Sequence, residues 1–395
     1  MMKMKKIADW FVIGCFAVFL AVIGGWTLTH PSETVSFYEN RMLSTQPQAS
    51  WSALLSGRYF DDWESFFTDH AAGRDTLMKT DTALRMSVLR LPAVNNVVVT
   101  KSVLLPLIKA DRPDAQRIDT FAQNMADAVG ALSDQVAAYG GHFYYVGVPE
   151  QYSYFRDRFP AEVRSGQRAL TMTREIFSAD LAAKNVPFLD MCAAYDELGR
   201  PDSLYYATDH HYTIGGALEV YDRLTARLAA DGVPVRILAR DEWKLTTLPN
   251  PFLGSRDRKL YNLWHTDDRL TYAEPKTAIP FTRTDGGTEV DSLISLPQST
   301  AETVTYGVFM GGNKAESVVR TDRPELPNVL IYGDSFTNAL ETLLYASFNE
   351  MRALDLRHYT GMKLSEYIEK YRPDVVICVR DDSSFLMTGG NGAAD

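Results

Sequence analysis

The sequence predicts an α/β protein with a mainly parallel sheet flanked by helices, preceded by one membrane-spanning helix. Three observations predict it. From residue 114 onward, short apolar runs alternate with amphipathic stretches, as βαβ units require. The strongest run, NVLIYGDS (328–335), passes from a buried strand straight into a turn and a helix. Finally, residues 10–29 (WFVIGCFAVFLAVIGGWTLT) contain no charged side chain.

That apolar stretch comes first in chain order. At about 1.5 Å per residue, roughly 20 residues span the hydrocarbon core of a bilayer. Lys3, Lys5 and Lys6 precede it, and Trp10 and Trp26 mark its ends. The basic flank keeps residues 1–9 in the cytosol and places everything from residue 30 outside, as a single-pass signal anchor in the cell membrane. A cleaved signal peptide has a shorter apolar core and a small-x-small cleavage site, and the sequence offers neither clearly. Cys15 lies inside the apolar run with no mature start after it, so a lipoprotein is not expected.

Residues 30–58 are polar and turn-rich, a stalk between the membrane and a catalytic domain over 59–390. Within 59–90, Phe60, Trp63, Phe66 and Phe67 share one helical face, followed by Leu77, Leu84 and Met86. A second helix runs from Asp114 to Tyr139, where Gly140-Gly141 ends it. HFYYVGVP (142–149) is a strand stopped by Pro149. Residues 167–184 are helical, VPFLDM (186–191) is a strand, and a helix begins just after Thr213 and runs to about Ala230. Residues 233–325, rich in Thr, Asp and Pro, lack a helical period. They read as an irregular β-rich insertion or as the edge of the main sheet. After 328–335 come a helix (337–347), a strand (350–358), a helix (363–371) and a buried strand, DVVICVR (374–380). The tail GGNGAAD (389–395) is expected to fray.

Composition narrows the function. The 395 residues are 46% hydrophobic, so wholesale disorder is excluded. Forty Lys and Arg face 50 Asp and Glu, a net charge of −10; without residues 1–9, which carry three Lys and one Asp, the balance is 37 to 49, or −12. So acidic a surface argues against nucleic acid as the main partner. Of three cysteines, Cys192 and Cys378 sit in apolar contexts and read as buried thiols, with no disulfide framework or metal spacing.

Two motifs carry chemistry. Gly333-Asp334-Ser335-Phe336 closes a strand and opens a helix, and parallel sheets gather functional groups at such carboxyl ends. A serine there is exposed, and its own N–H helps hold an oxyanion. The alternative is that Asp334 or Ser335 is a plain helix cap. The second motif is Thr208-Asp209-His210-His211-Tyr212-Thr213. An acyl-transfer serine needs an imidazole to take its proton and a carboxylate to orient that imidazole. The alternatives are a solvated loop with Thr213 as N-cap, or a metal site. Asp209, His210 and His211 are too close in sequence to bind one ion easily, and no further ligand pair is in view, so neither metal nor cofactor is expected.

These residues, taken in order, resemble the DHHW protein family and the AlgX/AlgJ-like branch of the SGNH hydrolase superfamily. The resemblance rests on FDDWESFFTDHAAGRDTLMKTDTALRMSVLR (60–90), NNVVVTKSVLLP (95–106), TDHHYT (208–213), YGVFMGGN (306–313) and VLIYGDSF (329–336). Tyr212 stands where the family name has Trp. The resemblance implies an SGNH-like domain with permuted motif order, in which Asp-x-His precedes the serine. Asp209 would then orient, His211 act as general base, Ser335 act as nucleophile, and His210 lie behind them. Ordinary members supply further oxyanion donors from a Gly and from an Asn in a Gly-x-Asn-Asp block, whereas here the comparable strand ends in Arg380-Asp381-Asp382. Gly312 and Asn313 become the alternative donors, with Arg380 available to hold charge on a substrate.

The resemblance further implies O-acetyl transfer to hydroxyls of an exported polysaccharide, with a membrane-bound O-acyltransferase passing the acetyl group across the membrane. Water as acceptor would make the same residues a carbohydrate acetylesterase. A non-catalytic polysaccharide-binding or assembly role is the third alternative. Tyr205, Tyr206, Tyr212, Tyr261 and Trp264 are either sugar-stacking or core aromatics. The acidic external face favours a neutral glycan.

Overall fold

The computed structural model describes residues 2–29, 33–39, 41–108, 113–163 and 166–393, which form two compact units. Side chains of the expected basic flank (Lys3, Lys5, Lys6), residues 30–32 and 40 of the expected stalk, and 394–395 of the tail lie outside the described set.

The first unit comprises residues 1–95 with 257–264. Its helix α1 (Met2–Thr29) includes 21 residues, Asp9–Thr29, long and apolar enough to cross a membrane. A short pair of strands, β1 (Val35–Ser36) and β2 (Arg41–Met42), follows. Three helices come next: α2 (Trp51–Ser56), α3 (Arg58–His70) and α4 (Arg74–Ala83), the last continuing into a π turn, Leu84–Val88. The single helix expected over 59–90 is broken at Ala71–Gly73, where Gly73 takes φ +76° and precedes α4. Asp69 holds the β-strands to α3: it accepts from the Arg41 guanidinium and from the Ser44 N–H (2.8 Å) and hydroxyl (2.9 Å). Strand β3 (Ala93–Val94) ends the segment.

The second unit, residues 96–256 with 265–395, carries the main sheet. In chain order its elements are β4 (Val97–Val99), β5 (Leu104–Pro106), α5 (Ala115–Ala138), β6 (His142–Val148), α6 (Gln151–Tyr154), α7 (Gln167–Ala183), β7 (Phe188–Asp190), α8 (Met191–Glu197) and α9 (Ile214–Ala230). They continue with β8 (Trp243–Thr247), the start of helix α10 (Ser255–Lys259, whose last three residues belong to the first unit), β9 (Thr271–Pro275), β10 (Thr282–Asp285), β11 (Thr288–Glu289), β12 (Glu316–Arg320) and β13 (Asn328–Gly333). Last come α11 (Phe336–Leu344), β14 (Glu350–Leu354), α12 (Leu364–Tyr371) and β15 (Val375–Asp381). Eight strands form one sheet in the order β11-β10-β12-β14-β13-β15-β6-β7. From β14 to β7 every pair is parallel; β10, β11 and β12 extend the edge antiparallel. The 233–325 region therefore divides: β8 and β9 pair with each other, while its later strands join the sheet.

Burial follows side-chain periodicity. On α5, Ala122, Met125, Ala126, Val129, Leu132 and Val136 recur at helical spacing and pack on Phe143, Tyr145, Leu330, Tyr332, Val376 and Cys378. Each large member contributes about 1.5–3 kcal/mol. Val329 and Ile331 point to the opposite face and are also buried, so the sheet is covered on both sides. Position 333, the last of β13, requires glycine because a Cβ there would lie 2.3 Å from the Val379 carbonyl oxygen. Both cysteines of this unit are buried free thiols, as expected.

The tail does not fray over 390–392. Asn391 is buried, accepts from the Leu356 N–H (2.6 Å) and donates to Asp355 (3.0 Å). Asn391→Ala should therefore lower unfolding stability by about 1–3 kcal/mol, because a buried N–H and a carboxylate oxygen lose their partner. A urea melt with an unchanged midpoint would show that the tail is loose in solution.

Candidate active site

Ser335 sits at the carboxyl end of β13, a central strand with β14 on one side and β15 on the other. It is the residue before α11, yet its hydroxyl makes no capping bond. Asp334 caps the helix instead, accepting from the Phe336 N–H (3.0 Å) through Oδ1 and the Thr337 N–H (2.9 Å) through its carbonyl. The Ser335 hydroxyl, freed from capping, lies 2.6 Å from His211 Nε2. Nδ1 of His211 is 2.5 Å from Asp209 Oδ1. Because an ionised carboxylate only accepts, Nδ1 carries the proton and Nε2 is left to accept from Ser335. His211 and Asp209 are 4% and 2% exposed, whereas Ser335 is half-buried and reachable.

The loop bearing Asp209 and His211 is a hairpin closed by a bridge between Tyr205 and Tyr212. The Tyr206 N–H donates to the His211 carbonyl (3.3 Å), and the Thr213 N–H to the Leu204 carbonyl (2.9 Å). Thr213 then caps α9 through its hydroxyl (3.4 Å to the Gly216 N–H). Asp268 grips the hairpin tip, accepting from the Thr208 N–H (2.9 Å) and hydroxyl (2.6 Å). Tyr212 donates its hydroxyl to the Phe336 carbonyl, fastening the histidine loop to the helix that follows Ser335. The Tyr306 ring lies face to face on the His211 imidazole, 3.8 Å away and within 4° of parallel.

The second oxygen of Asp209 accepts from the Ser255 N–H (2.6 Å). Burial pushes the Asp209 carboxyl up, but His211, His210 and the Ser255 N–H outweigh it and hold the group well below the usual carboxylate range. Asp209 therefore stays ionised, able to stabilise an imidazolium on His211. Gly254 makes this contact feasible, because a Cβ there would fall 2.3 Å from the Thr208 carbonyl.

The other expected site residues divide. His210 packs against His211 with ring centroids 3.7 Å apart and the planes tilted by 38°, and holds the Ser255 hydroxyl at 2.7 Å through Nδ1. Asn313 reaches α11, its Oδ1 accepting from Asn338 Nδ2 (2.9 Å) one turn beyond Ser335. Gly312 does not serve as an N–H donor here: its N–H is committed to the Phe309 carbonyl (3.0 Å) in a tight turn. Nor does Arg380 face Ser335. It is 3% exposed on the α5 side of the sheet, where Nη2 donates to the Met387 carbonyl (3.1 Å) and Nη1 lies 4.0 Å from the Met125 sulfur. Its strand position placed it at the right edge of the sheet, but side-chain alternation turned it to the wrong face. Tyr205, Tyr206, Tyr212 and Tyr261 are at most 2% exposed and belong to the core.

Three residues of the site were not anticipated from sequence: Ser255, Asp268 and Tyr306. Tyr306 opens the YGVFMGGN tract and so lay within reach of motif reading; Gly254-Ser255 and Asp268 look like ordinary turn residues. Asp209, His210 and His211 offer metal-ligand atoms within 4.8 Å of one another. An ion there would have to displace the hydrogen bonds to Ser335, Ser255 and within the pair, all of which these atoms already make.

Residues 109–287 match the sequence profile of a family described as the SGNH hydrolase-like domain of the acetyltransferase AlgX. The matched stretch contains Asp209 and His211 and stops short of Ser335. No curated protein sequence matches the chain. Among solved structures, PatB1 of Bacillus cereus is similar at 22% identity and TM-score 0.62, over 73% of this chain and 96% of that one. Its sulfonyl-adduct form is similar at 21% identity and TM-score 0.61, covering 74% and 96%. A DHHW family protein of Eubacterium siraeum follows at 20% identity and TM-score 0.53, covering 76% and 95%. The expected resemblance and the SGNH-like fold are thus both met.

Buried carboxyls around the strand ends give the site a pH signature. Burial pushes Glu341 up to about 7 despite the Thr337 hydroxyl and Arg283, with Asp285 and Asp355 adding to the rise. Burial likewise pushes Asp382 up to about 7, against the opposing bonds from Ser153 and the Glu150 N–H. Both groups hold protons in the fold that the unfolded chain releases near pH 4. Stability should then fall as pH rises from about 4 to 7, by on the order of 1–4 kcal/mol per group. Asp209 works in the opposite sense, losing stability only as pH drops below about 4. Urea melts between pH 5 and 8 should show this decline, and Glu341→Gln with Asp382→Asn should flatten it; stability rising through that window would contradict the assignment.

Proposed function

We propose that the chain is a membrane-anchored, extracytoplasmic O-acetyltransferase that carries an acetyl group on Ser335 and delivers it to hydroxyls of an exported polysaccharide. The observation that carries this reading is the continuous relay from Asp209 through His211 to Ser335, at 2.5 and 2.6 Å. The acetyltransferase description of the matching family supports the reaction type. The apolar stretch Asp9–Thr29 supports the anchor.

The chemistry proceeds in two balanced halves. Ser335 Oγ attacks the acetyl carbonyl of the donor while His211 Nε2 takes the hydroxyl proton. The negative charge moves to the carbonyl oxygen, which the Ser335 N–H receives; Asn313, bonded to Asn338 one turn beyond Ser335, is the proposed second donor. Collapse expels the donor's leaving group, which receives the proton from His211, and an acetyl ester remains on Ser335. A sugar hydroxyl then attacks that ester, its proton passing to Nε2, and Ser335 leaves with the proton returned. Asp209 holds the imidazole in the required tautomer throughout and offsets its charge when protonated. The donor is a membrane-bound O-acyltransferase that passes the acetyl group from the cytosolic side. A net charge of −12 outside the first nine residues repels acidic polymers, so the acceptor is a neutral glycan.

The half-buried Ser335 also admits water, the acceptor that would make the protein an acetylesterase. The purified full chain, incubated with an activated acetyl ester, should gain the mass of one acetyl group. Ser335→Ala should abolish that gain, and Asp209→Asn should slow it on the order of 10²–10⁴-fold, since it loses the charge and the tautomer. With a neutral oligosaccharide present, acetyl should appear on sugar rather than as free acetate. An unlabelled wild type alongside a fully active alanine variant would sink the Ser335 assignment; free acetate alone would leave the esterase.

A further inference from the structure

We infer that the helices following the anchor, residues 51–91, lie on the outer leaflet of the membrane through an exposed apolar face. This inference deepens the proposed function and rests on its anchor. Among the described residues, twelve large apolar side chains are exposed between 35 and 91, against seven over 96–393, a stretch about five times longer. Exposed apolar side chains concentrated in this way mark an interaction surface.

The exposed residues fall at helical spacings. Trp51 and Leu55 (82% and 86% exposed) are one turn apart on α2. Phe60 and Phe67 lie two turns apart on α3, and Leu77 and Leu84 are likewise two turns apart, with Val88 one turn further. α3 therefore has two apolar sides: Phe66 is buried within the unit, while Phe60 faces outward at 63% exposure. Large aromatic and aliphatic side chains on short amphipathic helices are what an interfacial element presents to lipid.

The occupant follows from where these helices are tied. α1 is apolar over Asp9–Thr29, and its length matches a bilayer core at about 1.5 Å per residue. In its last turn, the Thr27 hydroxyl accepts from the Ala72 N–H (3.3 Å), at the corner between α3 and α4. That corner is braced further by Arg74, which donates to Glu39 (2.8 Å), and by Asp69 with Arg41 and Ser44. A span that ends at residue 29 thus fixes the corner within about one helical turn of the interfacial region. Leu77 follows Gly73 by one turn, so an exposed apolar side chain stands close to that corner. The lipid surface is the one partner that such an anchor brings to this face in every molecule.

The test uses the full chain with Cys15 replaced by alanine; Cys192 and Cys378 are buried and remain unlabelled. Single cysteines are placed by Leu55→Cys and Leu77→Cys, with Leu245→Cys, an exposed apolar position on β8, as the control. Each is labelled with an environment-sensitive nitrobenzoxadiazole probe and reconstituted in phosphatidylethanolamine–phosphatidylglycerol vesicles containing a spin-labelled lipid. Probes at 55 and 77 should be quenched at least about twofold more than the probe at 245, as expected for side chains entering the acyl boundary. Equal quenching at all three positions, with the chain still retained after alkaline carbonate extraction, overturns the inference and leaves the face to a protein partner. Release by carbonate would overturn the anchor itself, and this inference with it.

Discussion

Everything in the candidate site depends on holding one imidazole still. His211 has both ring nitrogens committed, one to Asp209 and one to a serine 124 positions later in the chain. Hydrogen bonds of 2.5–2.6 Å tolerate little displacement, so the hairpin that carries His211 must be fixed to the sheet that carries Ser335. The chain achieves this with buried polar contacts rather than with apolar packing alone. Tyr212 ties the hairpin to Phe336, Asp268 grips Thr208, and Gln151, fully buried behind β6, donates to the Tyr206 carbonyl (2.9 Å). Arg256 then orients Gln151 (2.6 Å) while pairing with Glu150. Each bond sits in a low-dielectric interior where an unmet partner is costly, so the set is satisfied together or not at all.

The same division between local and distant contacts explains which parts of the fold were legible in the sequence. NVLIYGDS and DVVICVR read as buried parallel strands because both faces of such strands are covered, giving continuous apolar runs. The helices over 115–138 and 214–230 were legible from their apolar spacing and from the Asp and Thr residues that cap them. Asp209, His211 and Ser335 were legible because they cluster in short local motifs whose residue types already name a chemistry. Asx and Ser caps share that vocabulary, and only the geometry separates Asp334, which caps, from Ser335, which does not.

The features that escaped sequence reading did so for definite physical reasons. Arg380 was placed correctly along its strand and wrongly across it, because a period of two cannot be phased when every residue of the run is apolar or buried. Gly312 sits in the anticipated tract, but whether a glycine N–H is available depends on a turn bond to Phe309 that composition does not reveal. Ser255 acts through its backbone N–H, and almost any residue type would supply one. Its partner Gly254 is constrained by a close approach to Thr208, a contact between segments 46 residues apart that no local pattern encodes. The break in the helix over 59–90 follows from Gly73 at positive φ, although apolar periodicity continues on both sides of it.

The two units also differ in chemistry. Exposed apolar surface concentrates in the first, and buried charge in the second. In the second, Asp334, Asp381 and Asp382 crowd the ends of β13 and β15, and burial with the neighbouring Asp381 pushes Asp334 up to about 7. Burial leaves Asp334 and Asp382 holding protons up to about pH 7, so below that pH these two carboxyls add little charge beside the nucleophile, and a neutral acetyl ester and a neutral sugar hydroxyl meet no opposing field from them. On the proposed reading, the donor is a membrane protein and the acceptor emerges at the same surface. Encounter is then set by effective concentration, which a tether raises to the millimolar range when its length suits the gap. A bare anchor leaves the domain free to sample a volume far larger than the site needs. Fixing the first turns after the anchor to the bilayer narrows that volume without constraining the catalytic loop. The apolar face beside Thr27 is where such a restraint belongs, because it acts before the chain enters the second unit.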